Sequence, residues 1–117
     1  MKRLIALTLG LGLTAAAYAH TPLKASSPAA DAVLPAPRAV ELTFGGEVRL
    51  TSVALTDSAG AVKHLDEVPT AIASSFSLNV HEPLAPGAYK VVWRAVGGDT
   101  HIISGEFGFT VTAAPAR

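Results

Sequence analysis

The sequence predicts an all-β domain, an antiparallel β-sandwich of about seven strands. Three observations carry that prediction: short segments alternate apolar and polar residues with period two, turn signals separate them, and no stretch holds a helical period.

Each element has its own justification. Val40, Leu42 and Phe44 alternate with Glu41 and Thr43, as a half-buried strand does. Leu50 to Thr56 places Thr51, Val53 and Leu55 on one face, and Asp57-Ser58-Ala59-Gly60 then reads as a turn leading into Ala61 to Leu65. Phe76, Leu78 and Val80 alternate with Ser75, Ser77 and Asn79, and Pro83-Leu84-Ala85-Pro86-Gly87 is the next turn. Tyr89, Val91, Trp93 and Ala95, set against Lys90, Val92, Arg94 and Val96, define the longest strand; Phe107, Phe109 and Val111 define the last. Upstream, Pro22, Pro28, Pro35 and Pro37 exclude a helix and predict an extended segment from His20 to Pro37 lying along the sandwich. The Ala/Pro-rich stretch from Ala113 to Arg117 reads as a frayed tail.

Composition narrows the function. The chain has 117 residues, nine basic and nine acidic side chains, one Met and no Cys. Its length suits a single domain. A formal charge of zero gives no electrostatic footprint for nucleic acid or an anionic membrane surface. The lack of Cys excludes disulfides, thiolate zinc sites, iron–sulfur clusters and cysteine nucleophiles, so any metal must be held by nitrogen and oxygen. Hydrolytic catalysis finds no nucleophile elbow and no His-Glu-x-x-His helix.

The first residues read as an export signal. Lys2 and Arg3 precede a short apolar run from Leu4 to Leu13, which ends in small residues before Ala17-Tyr18-Ala19. A positive start, a short apolar centre and an A-x-A ending mark a cleaved secretory signal peptide, residues 1–19, rather than a retained anchor. Cleavage leaves residues 20–117 as one domain, slightly acidic and free of both sulfur-containing residues. His20 becomes the first residue.

An N-terminal histidine offers two nitrogens, its α-amine and its imidazole, which chelate one ion together. Asp99 and His101 stand two apart in Gly97-Gly98-Asp99-Thr100-His101, so in extended backbone their side chains leave on the same face. Two imidazoles, an amine and a carboxylate suit tetragonal copper(II), with zinc as the competitor. A D-x-H triplet is common; its weight comes from coinciding with the predicted N-terminal His.

Nearly all of the processed chain resembles the CopC family of periplasmic copper-binding proteins. The matching segments are His20-Thr21-Pro22-Leu23, Ser26 to Asp31, Val40 to Phe44, Leu84 to Val96, Asp99-Thr100-His101, and Gly105 to Val111. The resemblance implies a Greek-key sandwich or barrel of immunoglobulin-like or cupredoxin-like appearance. It further implies a monomer in the periplasm that binds one copper(II) through His20, Asp99 and His101, acts as carrier or buffer in copper homeostasis or resistance, and serves a membrane partner of the CopD type. Members with a copper(I) site build it from a Met-rich loop; this chain has no Met beyond Met1, so that site is expected to be absent, although His64 lies in the corresponding region. Where some members place a Glu near the copper(II) ion, this chain has Gly46 with Glu47 beside it, which leaves Glu47 as a further candidate. The family's Ser-x-Asp-Gly-His-Pro loop is here Gly97-Gly98-Asp99-Thr100-His101-Ile102.

Other residues have plainer readings. His64 and His81 read as solvated loop or strand-edge side chains, and Trp93 and Tyr89 as core. Arg94 either meets a carboxylate or faces solvent; Thr100 either supports a ligand by hydrogen bonding or favours extended backbone. Two rival functions are a metal-free exported interaction module and a histidine-brace copper oxidase. The oxidase reading is opposed by small size, six percent aromatic residues, and an Asp occupying a position that dioxygen needs.

Overall fold

The computed structural model describes residues 23–113. They form seven strands: β1 (Leu23–Ser27), β2 (Val33–Leu34), β3 (Ala39–Asp57), β4 (Val62–Lys63), β5 (Ile72–Asn79), β6 (Gly87–Gly97) and β7 (Ile102–Val111). Among the described residues no helix is long and apolar enough to cross a membrane. The expected signal peptide, residues 1–19, together with His20 and residues 114–117, lies outside them.

The strand order is β1-β3-β6-β7-β2, with β4 and β5 also pairing with β3. What the sequence presents as two strands, near residues 40–44 and 50–56, is the single 19-residue strand β3. Its first part pairs with β1 and with β5, as in Leu42 with Ser26 and with Phe76. Its second part pairs with β6, from Val48 with Gly97 to Asp57 with Tyr89. Between them the β3–β5 register shifts across Thr43 to Val48, where Gly45 and Gly46 lie. A strand that bends at such an irregularity passes from one layer of a sandwich to the other, which lets one sheet curl over its own core.

Three details differ from the sequence reading. Thr51 is exposed, whereas Leu50 and Leu55 both face inward at 2% and 0% exposure. Five residues apart, strict alternation would put them on opposite faces; the register shift between Leu50 and Ser52 restores both to the core, and the displaced Thr51 hydroxyl donates to the Arg94 carbonyl at 3.0 Å. The strand expected over Ala61 to Leu65 is reduced to β4 plus an isolated bridge of Leu65 with Val80. The sandwich is not wholly antiparallel, because β2 runs parallel to β7. The Pro-rich segment leaves β1 at one edge of the sheet path and reaches β7 near the other, where Thr110 N–H donates to Ala32 O and Thr112 N–H to Leu34 O, both at 2.8 Å.

The core is the inward face of each alternating strand. Val40, Leu42 and Phe44 from β3 meet Phe76 from β5, Tyr89, Val91, Trp93 and Ala95 from β6, and Phe107, Phe109 and Val111 from β7. Phe44 is the pivot, edge-on to Trp93 at 5.2 Å and to Phe76 at 6.1 Å between ring centroids. Tyr89 stacks on Phe109 at 5.6 Å, and its hydroxyl donates to the Ala85 carbonyl at 2.6 Å, satisfying the polar end of a ring that is otherwise buried. Trp93 and Tyr89 are thus core residues.

Candidate metal centre

Strands β6 and β7 are joined by a tight hairpin that carries Asp99 and His101. The turn closes through Thr100 N–H to Gly97 O and Gly97 N–H to His101 O, each 2.9 Å. Thr100 has φ 68°, in the left-handed region. A turn followed by one left-handed residue is a common way to close a three-residue hairpin loop, but the left-handed place is normally taken by Gly or Asn.

That geometry corrects the expectation of extended backbone. Asp99 and His101 meet because the chain turns between them. Asp99 Oδ1 accepts the His101 backbone N–H at 3.1 Å, and Asp99 Oδ2 lies 2.7 Å from His101 Nδ1. The hydrogen bond from the His101 ring, followed by the one from its backbone, holds the Asp99 carboxyl below the usual carboxylate value, so it is present as an anion. With Nδ1 held by the carboxylate, Nε2 points away from Asp99, so for both side chains to ligate one ion the carboxylate must release Nδ1. The Thr100 hydroxyl turns back to the Asp99 carbonyl. Both side chains face water, Asp99 at 70% and His101 at 80% exposure.

Asp99 and His101 line a groove of about 660 Å³ together with Gly45, Gly46, Glu47, Val48, Gly97 and Ile103. Glu47 therefore shares the groove with the two candidates. Arg94 is exposed on β6. Among the described residues, no group of three His, Asp or Glu side chains is placed so that it could hold a metal ion, and the third sequence candidate, His20, lies outside them.

One juxtaposition escapes a reading of the sequence. His64 and His81, 17 positions apart, bring their rings to 5.6 Å, and His81 Nε2 is hydrogen-bonded to Asp66 Oδ1. Only the pairing register connects them, and strand alternation does not reveal register.

The fold and the turn define a β-sandwich protein with an imidazole–carboxylate pair presented at one end. The model of the CopC domain matches residues 23–112. The chain is 34% identical over 113 residues to Copper resistance protein C of Escherichia coli, covering 88% of this chain and 90% of that protein. It superposes on the crystal structure of PcoC, a methionine rich copper resistance protein from Escherichia coli, with TM-score 0.66 and 35% identity over 80% of this chain and 99% of that one. CopC from Methylosinus trichosporium gives TM-score 0.66 and 32% identity over 79% and 93% of the respective chains. This chain belongs to the CopC family.

Proposed function

We propose that this chain is an exported, periplasmic copper(II)-binding protein that carries or buffers the ion in copper resistance. One ion is held by His20, Asp99 and His101, and no reaction is catalysed. The observation that carries this reading is the course of β1. Leu23 pairs with Phe44, and the next residues of β3, Gly45 to Glu47, form the wall of the groove that holds Asp99 and His101. The chain from His20 through Thr21 and Pro22 to Leu23 spans at most about 11 Å, so the amine and imidazole of His20 are within reach of the turn. The relatives' names as copper resistance proteins support copper as the cargo. A thioether copper(I) site is not part of this reading, because the sole methionine is Met1. The protein acts as a monomer and passes its ion to a membrane protein of the CopD type.

Against an oxidase stands the placement of the aromatics: Phe44, Phe76, Tyr89, Trp93, Phe107 and Phe109 are all buried, which leaves no aromatic platform for a glycan among the described residues.

The test is a copper(II) titration of the processed chain, read by electron paramagnetic resonance. One tight equivalent with nitrogen hyperfine coupling is expected. Adding one residue ahead of His20 removes the chelate and lowers affinity by at least tenfold; an unchanged affinity and spectrum overturns the N-terminal reading.

A further inference from the structure

We propose that the open edge of β7, from Ile102 to Glu106, pairs with the same edge of a second copy of this chain, in a weak and reversible association. The direction of the β7 backbone groups can be followed residue by residue. His101 O accepts the Gly97 N–H, while Gly108 O accepts the Asp31 N–H and Thr110 N–H donates to Ala32 O. Hydrogen bonding in an antiparallel ladder alternates with period two, so odd-numbered residues of β7 exchange bonds with β6 and even-numbered residues face the other edge. β2 covers that edge at Thr110 and Val111. Upstream of it, Ile102, Ser104 and Glu106 direct their N–H and C=O groups outward, and among the described residues no strand pairs with them.

A row of outward backbone donors and acceptors is a template for another strand, and folds ordinarily blunt it with Lys, Pro, a bulge or a very short strand. The other edges here carry such devices. β1 has Lys24 and a register shift between Leu23 and Ala25. β2 and β4 are two residues each. At the end of β5, Asn79 gives both its backbone groups to Asp66. The β7 segment has none of them: it contains neither Lys nor Pro, and its register with β6 runs unbroken from Val96 with Ile102 to Gly87 with Val111. Ile102, at its start, is 71% exposed.

The edge is complementary to itself. When two copies are set antiparallel about a two-fold axis at Ser104, outward-facing residues oppose outward-facing residues. Ile102 then lies opposite Glu106 of the second copy, and Ser104 opposite its own counterpart. Each opposed pair exchanges two hydrogen bonds. Glu106, the only charged residue from Ile102 to Glu106, faces an isoleucine and not its own copy, so the pairing opposes no like charges. On the inward side Ile103 meets Gly105 of the second copy, which has no side chain in its way. So short a ladder makes an interface below the size of stable complexes, and the chain therefore remains monomeric when dilute. The two Asp99–His101 turns lie at opposite ends of the joined ladder.

The experiment uses the processed chain without copper, so its outcome is independent of the copper(II) reading. Sedimentation velocity and amide NMR are recorded from about 10 μM to about 1 mM, the range of weak complexes. The sedimentation coefficient is expected to rise with concentration while the amide resonances of Ile102, Ser104 and Glu106 shift together. Ser104 is exposed, so Ser104→Lys leaves the core untouched; it sets two ammonium groups face to face at the axis and is expected to weaken association at least tenfold, with partial recovery in high salt. Ser104→Pro removes an N–H that serves only the open edge, and is expected to abolish association. The amide spectrum of each variant shows whether the domain is folded, which separates loss of pairing from loss of structure. A chain that stays monomeric at the top of the range, that pairs through Ala73 to Ser77 of β5 instead, or that associates equally well after Ser104→Lys overturns the proposal.

Discussion

Trp93 packs directly on Gly105, its cross-strand partner in the β6–β7 ladder; a Cβ at position 105 would lie 2.7 Å from Trp93 Cζ2 and 3.0 Å from Cε2. The indole is 3% exposed and Phe44 stands edge-on to it at 5.2 Å, so a shift away from Gly105 disturbs the packed core.

Gly105→Ala is therefore expected to destabilise the domain by about 1–3 kcal/mol, the usual cost of overpacking. Urea denaturation measures it directly. Adding Trp93→Phe should recover part of the loss, because the smaller ring makes room and removes an indole N–H that is buried without a partner. An unaltered midpoint for Gly105→Ala would count against the contact.

Thr100 holds φ 68°, where a β-branched residue is strained. Thr100→Asn keeps a side chain while easing that conformation, and is expected to raise stability by about 1 kcal/mol, a Tm gain of roughly 4–8 °C for a domain of this size. Differential scanning calorimetry tests this; a fall in Tm would mean that the threonine side chain contributes more than its backbone costs.

Asp99 both carries charge and holds His101. Asp99→Ala removes both functions and is expected to lower copper(II) affinity by at least tenfold while leaving the fold intact, since the side chain is 70% exposed. Competition with a chromophoric chelator reads the affinity, and circular dichroism reads the fold. Equal copper(II) affinity in this variant would remove Asp99 from the site.

Acid should unfold the domain through its aspartates. Asp57 Oδ1 accepts the backbone N–H groups of Ala59 and Ala61, each at 2.9 Å, and these bonds, the one from Ala61 foremost, hold its carboxyl below the ordinary value of 3.8. Asp66 is lowered by His81 and the Asn79 N–H. A depressed folded value means that the native state binds fewer protons than the unfolded one, so this stabilisation is complete above the unfolded value and is lost as pH falls through the folded one. The urea midpoint is expected to be level above about pH 5 and to drop below about pH 4, with a shallower drop in Asp57→Asn.

The sandwich is legible in the sequence because alternation is a local property: Val40, Leu42 and Phe44, or Tyr89, Val91, Trp93 and Ala95, reveal their buried face without knowledge of their partners. The bulge after Leu50 is not, since it shows only as an odd spacing between two inward leucines. Asp99 and His101 stand out by their spacing and by the resemblance, although for the wrong backbone reason; the left-handed Thr100 has no signature in a Gly-Gly-Asp-Thr-His string that distinguishes it from strand. Taken one at a time, His64 and His81 read as ordinary surface residues, and only the Leu65–Val80 bridge makes them neighbours.

β3 borders β1, β4, β5 and β6, so the strand pairings that it does not enter are β6 with β7 and β2 with β7. Removing β3 would leave no layer intact, and amides on its buried stretches, such as Leu42 and Leu55, are set to exchange with solvent only when the whole domain opens. The hairpin turn at Asp99 and His101 sits on the one antiparallel ladder outside that spine. Its amides can open locally, and a ligand bound there can be traded for another without waiting for the domain to unfold.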